Sequence, residues 1–325
     1  MRMGSEGRMR AYAAFGVAFG ILAASGAGAV DLYDIFHNGN TYVASRDDGS
    51  VSRSGTGGVV FTVQGTGDNV PLYGIAYLSN FFVAVGEGGR AVRATTGLSW
   101  SAEDSRTTAT LRRIVPHGSY LIAVGDAGTT LRRIGTATVW DTTASPGSAP
   151  LYGVASNITS TILVAVGDDG TVLRSTDNGL SWLRQTLSGA PDLRGVTSSG
   201  AFDNIFVAVG LGGGIFRSTN YGLDWSSITS PTGEDLFDVA SDAANRMVAV
   251  GANGTILRAL NGGDSGSWQQ ATWGFGFKLR GAYHDGTYFY AVGELETIVR
   301  SLDGVAWFRV PVESDTWGDV KSRYR

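Results

Sequence analysis

Val164-Ala165-Val166-Gly167-Asp168-Asp169-Gly170-Thr171-Val172-Leu173-Arg174-Ser175 is an apolar run, a glycine-bounded turn and a second apolar run that ends in arginine. The same phrase returns along the whole chain. Its arginine falls at Arg53, Arg93, Arg132, Arg174, Arg217, Arg258 and Arg300, spaced by 40, 39, 42, 43, 41 and 42 residues. A period of roughly 40–45 residues is the length of a four-stranded propeller blade. A blade cannot bury two faces alone and must stack on neighbours, so the repeat predicts an all-β chain closed into a seven-bladed β-propeller of four-stranded antiparallel blades.

Two further columns divide each repeat into strands. Leu32, Leu72, Leu111, Leu151, Leu193, Leu236 and Leu279 open the first strand. Phe61, Trp100, Trp140, Trp182, Trp225, Trp268 and Trp307 open the fourth. The second and third strands are joined by a two-residue turn such as Asp168-Asp169 or Ala252-Asn253, flanked by glycines as hairpin chemistry requires. Because the strands run up and down, these turns share one rim with the blade-to-blade linkers. The first-to-second and third-to-fourth turns lie on the other. The segment Trp317-Gly318-Asp319-Val320 resembles a blade's first strand, so two segments compete for the innermost place of blade one. Leu32 to Ile35 is the expected occupant.

Residues 1–29 are of another kind. Arg2, Arg8 and Arg10 precede an apolar stretch, Ala11 to Ala24, and Ala27-Gly28-Ala29 offers small residues for cleavage before Val30. This reads as a secretory signal peptide, followed by one propeller domain over 30–325 and a periplasmic or secreted location. The 48 glycines are about twice the usual share of roughly 7%. There is no cysteine, so core packing and ring closure must hold the body together. The formal net charge is −4, and the leader's arginines make the remainder more acidic still. That balance argues against nucleic acid as a partner.

Ser175-Thr176-Asp177-Asn178-Gly179-Leu180-Ser181-Trp182 matches the Asp-box (BNR repeat) pattern S-x-D-x-G-x-x-W in full. Blade five keeps Ser218, Gly222 and Trp225 with Asn220 in place of the aspartate, and blade seven carries a shortened copy with Ser301, Asp303 and Trp307. In blades two, three and six little survives beyond the tryptophan. The box is a structural element, its aspartate accepting backbone N–H groups on the turn and its tryptophan wedging between blades. The fuller phrase, G-x-x-G-T-x-L-R-S-T-D-x-G-x-x-W in a seven-fold repeat, resembles the photosystem II stability/assembly factor family and its relatives in non-photosynthetic bacteria over about residues 31–312. The resemblance implies a non-catalytic propeller that binds partner proteins during assembly of a membrane complex, with blade arginines in the binding surface.

Arginines at the ends of buried strands need partners, either as staples between blades or on another molecule. The acidic column Asp47, Glu87, Asp126, Asp168 and Glu294 lies six residues before them, across the third strand, too far along a strand at roughly 3.3 Å per residue for pairing within one blade. A second column, Tyr33, Tyr73, Arg112, Tyr152, Arg194, Phe237 and Arg280, follows the first-strand leucines and should ring one mouth of the central channel. Tyrosine and arginine are frequent binding hot spots, so this column joins the third-strand arginines as the expected protein-binding set.

An enzymatic alternative rests on Arg112, Arg194 and Arg280 imitating the carboxylate-binding cluster of a sialidase, with Asp34 and Asp238 on the first strands of blades one and six. Glycoside hydrolysis also needs a protonated acid beside a nucleophile, and no tyrosine-glutamate pair stands out. A carbohydrate-binding module is the related alternative. His37, His117 and His284 sit near turns and make no metal pattern. Gly210-Leu211-Gly212-Gly213-Gly214 is a hairpin turn rather than a nucleotide loop, so no cofactor is implied. The expectation is a monomeric, non-catalytic binding scaffold without stable membrane insertion after cleavage.

Overall fold

The structure is a computed structural model that describes residues 30–157, 161–202, 204–271 and 273–313. They form a seven-bladed β-propeller. Blade four shows the pattern: Leu151–Ser156, Leu163–Gly167, Thr171–Ser175 and Leu183–Thr186 pair antiparallel in chain order from the channel outward. The leader and the Trp317-to-Val320 segment lie outside the described residues.

Alternation along these strands explains why the blades need each other. Val164, Val166 and Val172 face blade five, packing with Leu193, Val196 and Phe206. Leu163, Ala165 and Leu173 face blade three, packing with Ile122, Val124 and the box tryptophan Trp182. With successive side chains on opposite faces, each strand supplies both interfaces. A strand buried on both faces reads as a continuous apolar run, as Leu163–Gly167 does.

In blades two to six the second-to-third turns are two-residue hairpins placed one residue later than the sequence suggests. Their central pair is Asp169 (φ 54°) and Gly170 (φ 61°), with the Thr171 N–H bonded back to the Asp168 carbonyl. Asn253 (φ 51°) and Gly254 (φ 69°) repeat this. Two left-handed residues in succession make a type I′ turn, whose twist suits a hairpin, and glycine supplies the second at least steric cost.

Ring closure uses both ends of the described chain. Leu32–His37 takes the innermost place of blade one, and Val312–Glu313 pairs parallel with Phe61–Gln64 at that blade's outer edge. The seam with blade seven is held further by Arg46–Glu296 at 2.6 Å and by the Tyr42 hydroxyl donating to Asp285 at 2.5 Å. Leu32, Ile35 and Tyr42 share one core with Tyr290, Val292 and Ile298.

The third-strand arginines are blade-to-blade links. Arg53 Nε donates to the Thr96 carbonyl at 2.6 Å, Arg93 to Thr136 at 2.9 Å, and Arg174 to Tyr221 at 2.7 Å. Arg217 reaches Gly262 at 2.8 Å, Arg258 reaches Asp303 at 2.6 Å, and Arg300 returns to Gly58 of blade one at 3.4 Å. Every acceptor is a carbonyl on the next blade's third-to-fourth turn. Arg132 instead lies over the Tyr120 ring.

Those turns are built as the box pattern requires. Ser175 Oγ donates to Asp177 and accepts the Gly179 N–H, while Ser181 gives Asp177 both its N–H and its hydroxyl. Partial burial pulls the Asp177 carboxyl upward, but the bonds from Ser181, Ser175 and Leu180 outweigh it and hold the pKa below the usual carboxylate range. Ser218 binds the Gly222 N–H and Ser301 the Gly304 N–H in the same way, and Trp225 and Trp307 donate to those glycines' carbonyls.

Blade three has replaced this device. Arg133 stands where the box has serine, fully buried, and meets the equally buried Glu103 of blade two at 2.6 Å. Trp140 Nε1 donates to the other Glu103 oxygen at 2.8 Å. Burial pushes the Glu103 carboxyl up, and Arg133 and Trp140 partly restore it. Removing one partner of a buried pair strands the other charge, typically costing about 3–5 kcal/mol, whereas replacing both by apolar residues is far cheaper. Glu103→Leu should therefore lower the urea midpoint markedly, and Glu103→Leu with Arg133→Leu should recover most of the loss in a double-mutant cycle.

Candidate functional site

The inner strands begin at the linker rim, so the residue after each opening leucine lies at that mouth of the channel. There the Tyr/Arg column forms a nearly continuous belt. The rings of Tyr33 and Tyr73 meet edge to face at 4.9 Å. Arg112 bridges Tyr73 (6.0 Å) and Tyr152 (5.1 Å), and Arg194 also lies over Tyr152, at 3.8 Å. Across the seam, Arg280 sits over Tyr33 at 4.9 Å, and Lys278 covers Phe237 at 5.6 Å. Guanidinium over an aromatic face is electrostatically favourable and fixes both planes.

Three members of the acidic column, Asp126, Asp168 and Glu294, meet arginines of this belt, which resolves what the sequence left open. Asp126 takes two bonds from Arg112, at 2.6 and 3.0 Å. Arg194 is shared between Asp168 (3.1 Å) and Asp192 (2.9 Å), and Arg280 binds Asp31 at 2.6 Å with Glu294 at 4.0 Å. These carboxylates thus orient the mouth arginines. The third-strand arginines, expected as part of the binding set, lie at the opposite rim, and all but Arg132 spend a donor on the neighbouring blade.

One layer deeper the next residue of each inner strand reads Asp34, Gly74, Arg113, Gly153, Gly195, Asp238 and Gly281. Glycine allows adjacent inner strands to close on each other: a Cβ on Gly195 would come within 2.6 Å of the Asp238 backbone. The three charged positions spread across the axis as one group. Arg113 of blade three binds Asp238 of blade six at 2.7 Å and Asp34 of blade one at 3.3 Å. Asp34 also accepts the N–H of Ile75 from blade two, and Asp238 that of Ala282 from blade seven. Sequence reasoning singled out the two aspartates and missed Arg113. The column itself, glycine except at three charges of mixed sign, was the available signal.

Two buried carboxylates share a single guanidinium here. Burial pushes both carboxyls up, and Arg113 pulls them down only in part; Asp34, with the longer contact, is raised to about 7.

Two of the histidines serve turns, His37 and His284 accepting the N–H groups of Gly39 and Gly286, while His117, at the end of its strand, is buried between Ser156 (2.6 Å) and Asn178 (3.1 Å). Among the described residues no group of three or more metal-ligating side chains converges.

The comparisons with known proteins now bear on this geometry. No family model matches the chain, and no curated protein matches it. It is similar to a solved structure of YCF48 bound to a D1 peptide, with a TM-score of 0.68 and 16% identity over 84% of this chain and 92% of that one. The structure of YCF48 from Cyanidioschyzon merolae matches with a TM-score of 0.66 and 15% identity, covering 85% and 95%. The WD40 repeats of RRP9 match with 0.67 and 10%, covering 81% and 88%. At these identities the likeness is one of fold.

The channel triad gives a pH dependence whose sign can be stated. With Asp34 near 7 when folded and near 4 when unfolded, the native chain holds a proton that the unfolded chain has released across that interval. Stability should therefore fall as pH rises from about 4 to 7. Urea midpoints measured across this range should fall less steeply in Asp34→Asn, which keeps an acceptor for the backbone N–H groups.

Proposed function

We propose that the protein is a non-catalytic scaffold whose channel mouth at the linker rim binds a segment of a partner protein. The observation that carries this reading is the belt of Tyr33, Tyr73, Arg112, Tyr152, Arg194 and Arg280. Its rings and guanidinium groups stack on one another, and carboxylates bond the guanidinium nitrogens. Side chains fixed in advance lose little freedom on binding, so more of the contact energy appears as affinity. Arginine and tyrosine also combine apolar area with directed donors, which suits an extended peptide's carbonyls. The structural likeness to YCF48 bound to a D1 peptide supports a peptide-binding role on this fold.

In this reading the leader directs the chain to the periplasm or outside the cell, where it works as a monomer on a membrane complex under assembly. The Asp-box turns and the third-strand arginines serve the ring first. A sialidase-like activity draws little from the geometry. Each mouth arginine is already held by a carboxylate, and Asp34 and Asp238 are buried and joined through Arg113.

The test is site-specific photo-crosslinking in the native host. A benzoylphenylalanine at Tyr73 or Tyr152 should capture a discrete partner peptide, while one at Leu183 on the outer strand should not. Arg112→Gln with Arg194→Gln should lower capture at Tyr73 by about tenfold or more, the range of a hot-spot loss, with an unchanged thermal midpoint. Equal crosslinking at all three positions would remove the mouth from consideration.

A further inference from the structure

The two rims differ sharply in what they show to water. Val59, Leu98, Leu180, Leu223 and Val305 occupy the same place on the third-to-fourth turns of five blades, each 48–53% exposed. The other two blades, which lack that residue, present Ile134 and Leu260 from an earlier point of the same turn. All seven blades thus carry a half-exposed aliphatic side chain on one rim. Among the described residues, only Val70, Phe275 and Leu295 of the exposed large apolar side chains lie at the opposite, linker rim. That rim holds the carboxylates of the second-to-third turns.

From this segregation we infer that the third-to-fourth-turn rim docks on the headgroup region of an anionic lipid bilayer, with the channel mouth facing away. Equivalent positions of a closed repeat lie at equal height, so the five side chains that share one place form a flat crown around a central hole, with Ile134 and Leu260 beside it on the remaining two blades. A plane meets such a crown at all points together. Each contact is one aliphatic side chain at a turn tip, the form of shallow interfacial insertion.

Charge selects the same orientation. On the same rim stand Arg53, Arg174 and Arg258, whose Nε each binds a carbonyl of a third-to-fourth turn and whose terminal nitrogens have no hydrogen-bond partner among the described residues. Guanidinium pairs well with phosphate. The aspartates of this rim have partners within the protein: Asp177 and Asp303 in their own turns, Asp224 in Asn220, Asp264 in Arg217, Asp242 in Arg246, and Asp285 in Tyr42 and its own turn. The carboxylates at the linker rim would be repelled by an anionic surface.

Co-sedimentation with phosphatidylcholine vesicles, with and without phosphatidylglycerol, tests this on the protein as exported and purified. Binding should require phosphatidylglycerol and weaken with salt. Leu180→Asp with Leu223→Asp should reduce the bound fraction about tenfold while leaving the thermal midpoint unchanged; Leu180→Gln with Leu223→Gln provides a milder pair should the first unfold. Tyr73→Ala should bind vesicles as the wild type does, which separates this surface from the mouth. Failure of the wild type to sediment, or insensitivity to the crown substitutions, would overturn the inference. So would a wild-type dimer in light scattering that the crown substitutions convert to monomer, since the crown would then be covered by a second copy.

Discussion

Each blade's sheet has two apolar faces and nothing of its own to cover them. Val164 and Val166 are buried only because blade five is there, and Leu163 and Ala165 only because blade three is. Burial of apolar area is the main favourable contribution to folding, so the ring is stable as a closed body and each interface depends on its neighbours. The most exacting interface is the seam, where chain ends rather than a continuous linker must meet. There the protein adds an outer parallel strand, a buried arginine with two carboxylates, and a cluster of tyrosines.

Polar groups are arranged around that apolar constraint. The third-strand arginines are useful where they are because the next blade's turn presents a carbonyl within reach. Blade three shows that this architecture tolerates substitution of its own parts: the serine-aspartate turn is gone, and a buried Glu103–Arg133 pair with Trp140 fills the same space. A buried pair is costly to break and not obviously better than apolar packing. Its benefit here is that one carboxylate satisfies both an arginine and a tryptophan across a blade boundary.

The channel has two layers with different roles. At the mouth, arginines stack on tyrosine rings and carboxylates hold the guanidinium groups. Beneath, glycines let the inner strands close up, and Asp34, Arg113 and Asp238 tie blades one, three and six across the axis. The lower layer fixes the spacing of the strands that carry the upper one.

Much of this was legible in the chain itself. The period of about 40 residues set the blade count, alternation within Leu163–Gly167 set burial on both faces, and glycine-rich turns set the hairpins, because these are local consequences of strand geometry. The Tyr/Arg column could be placed at a mouth for the same reason. Sequence spacing could not say which charges meet: Asp126, Asp168 and Glu294 of the acidic column pair with the mouth arginines and not with the third-strand arginines six residues on. Nor could it show that Arg113 reaches across the axis to blades one and six, or that the exposed aliphatic residues share one rim. Those facts depend on closure, which brings together residues as far apart as Arg113 and Asp238, and only the folded ring determines that distance.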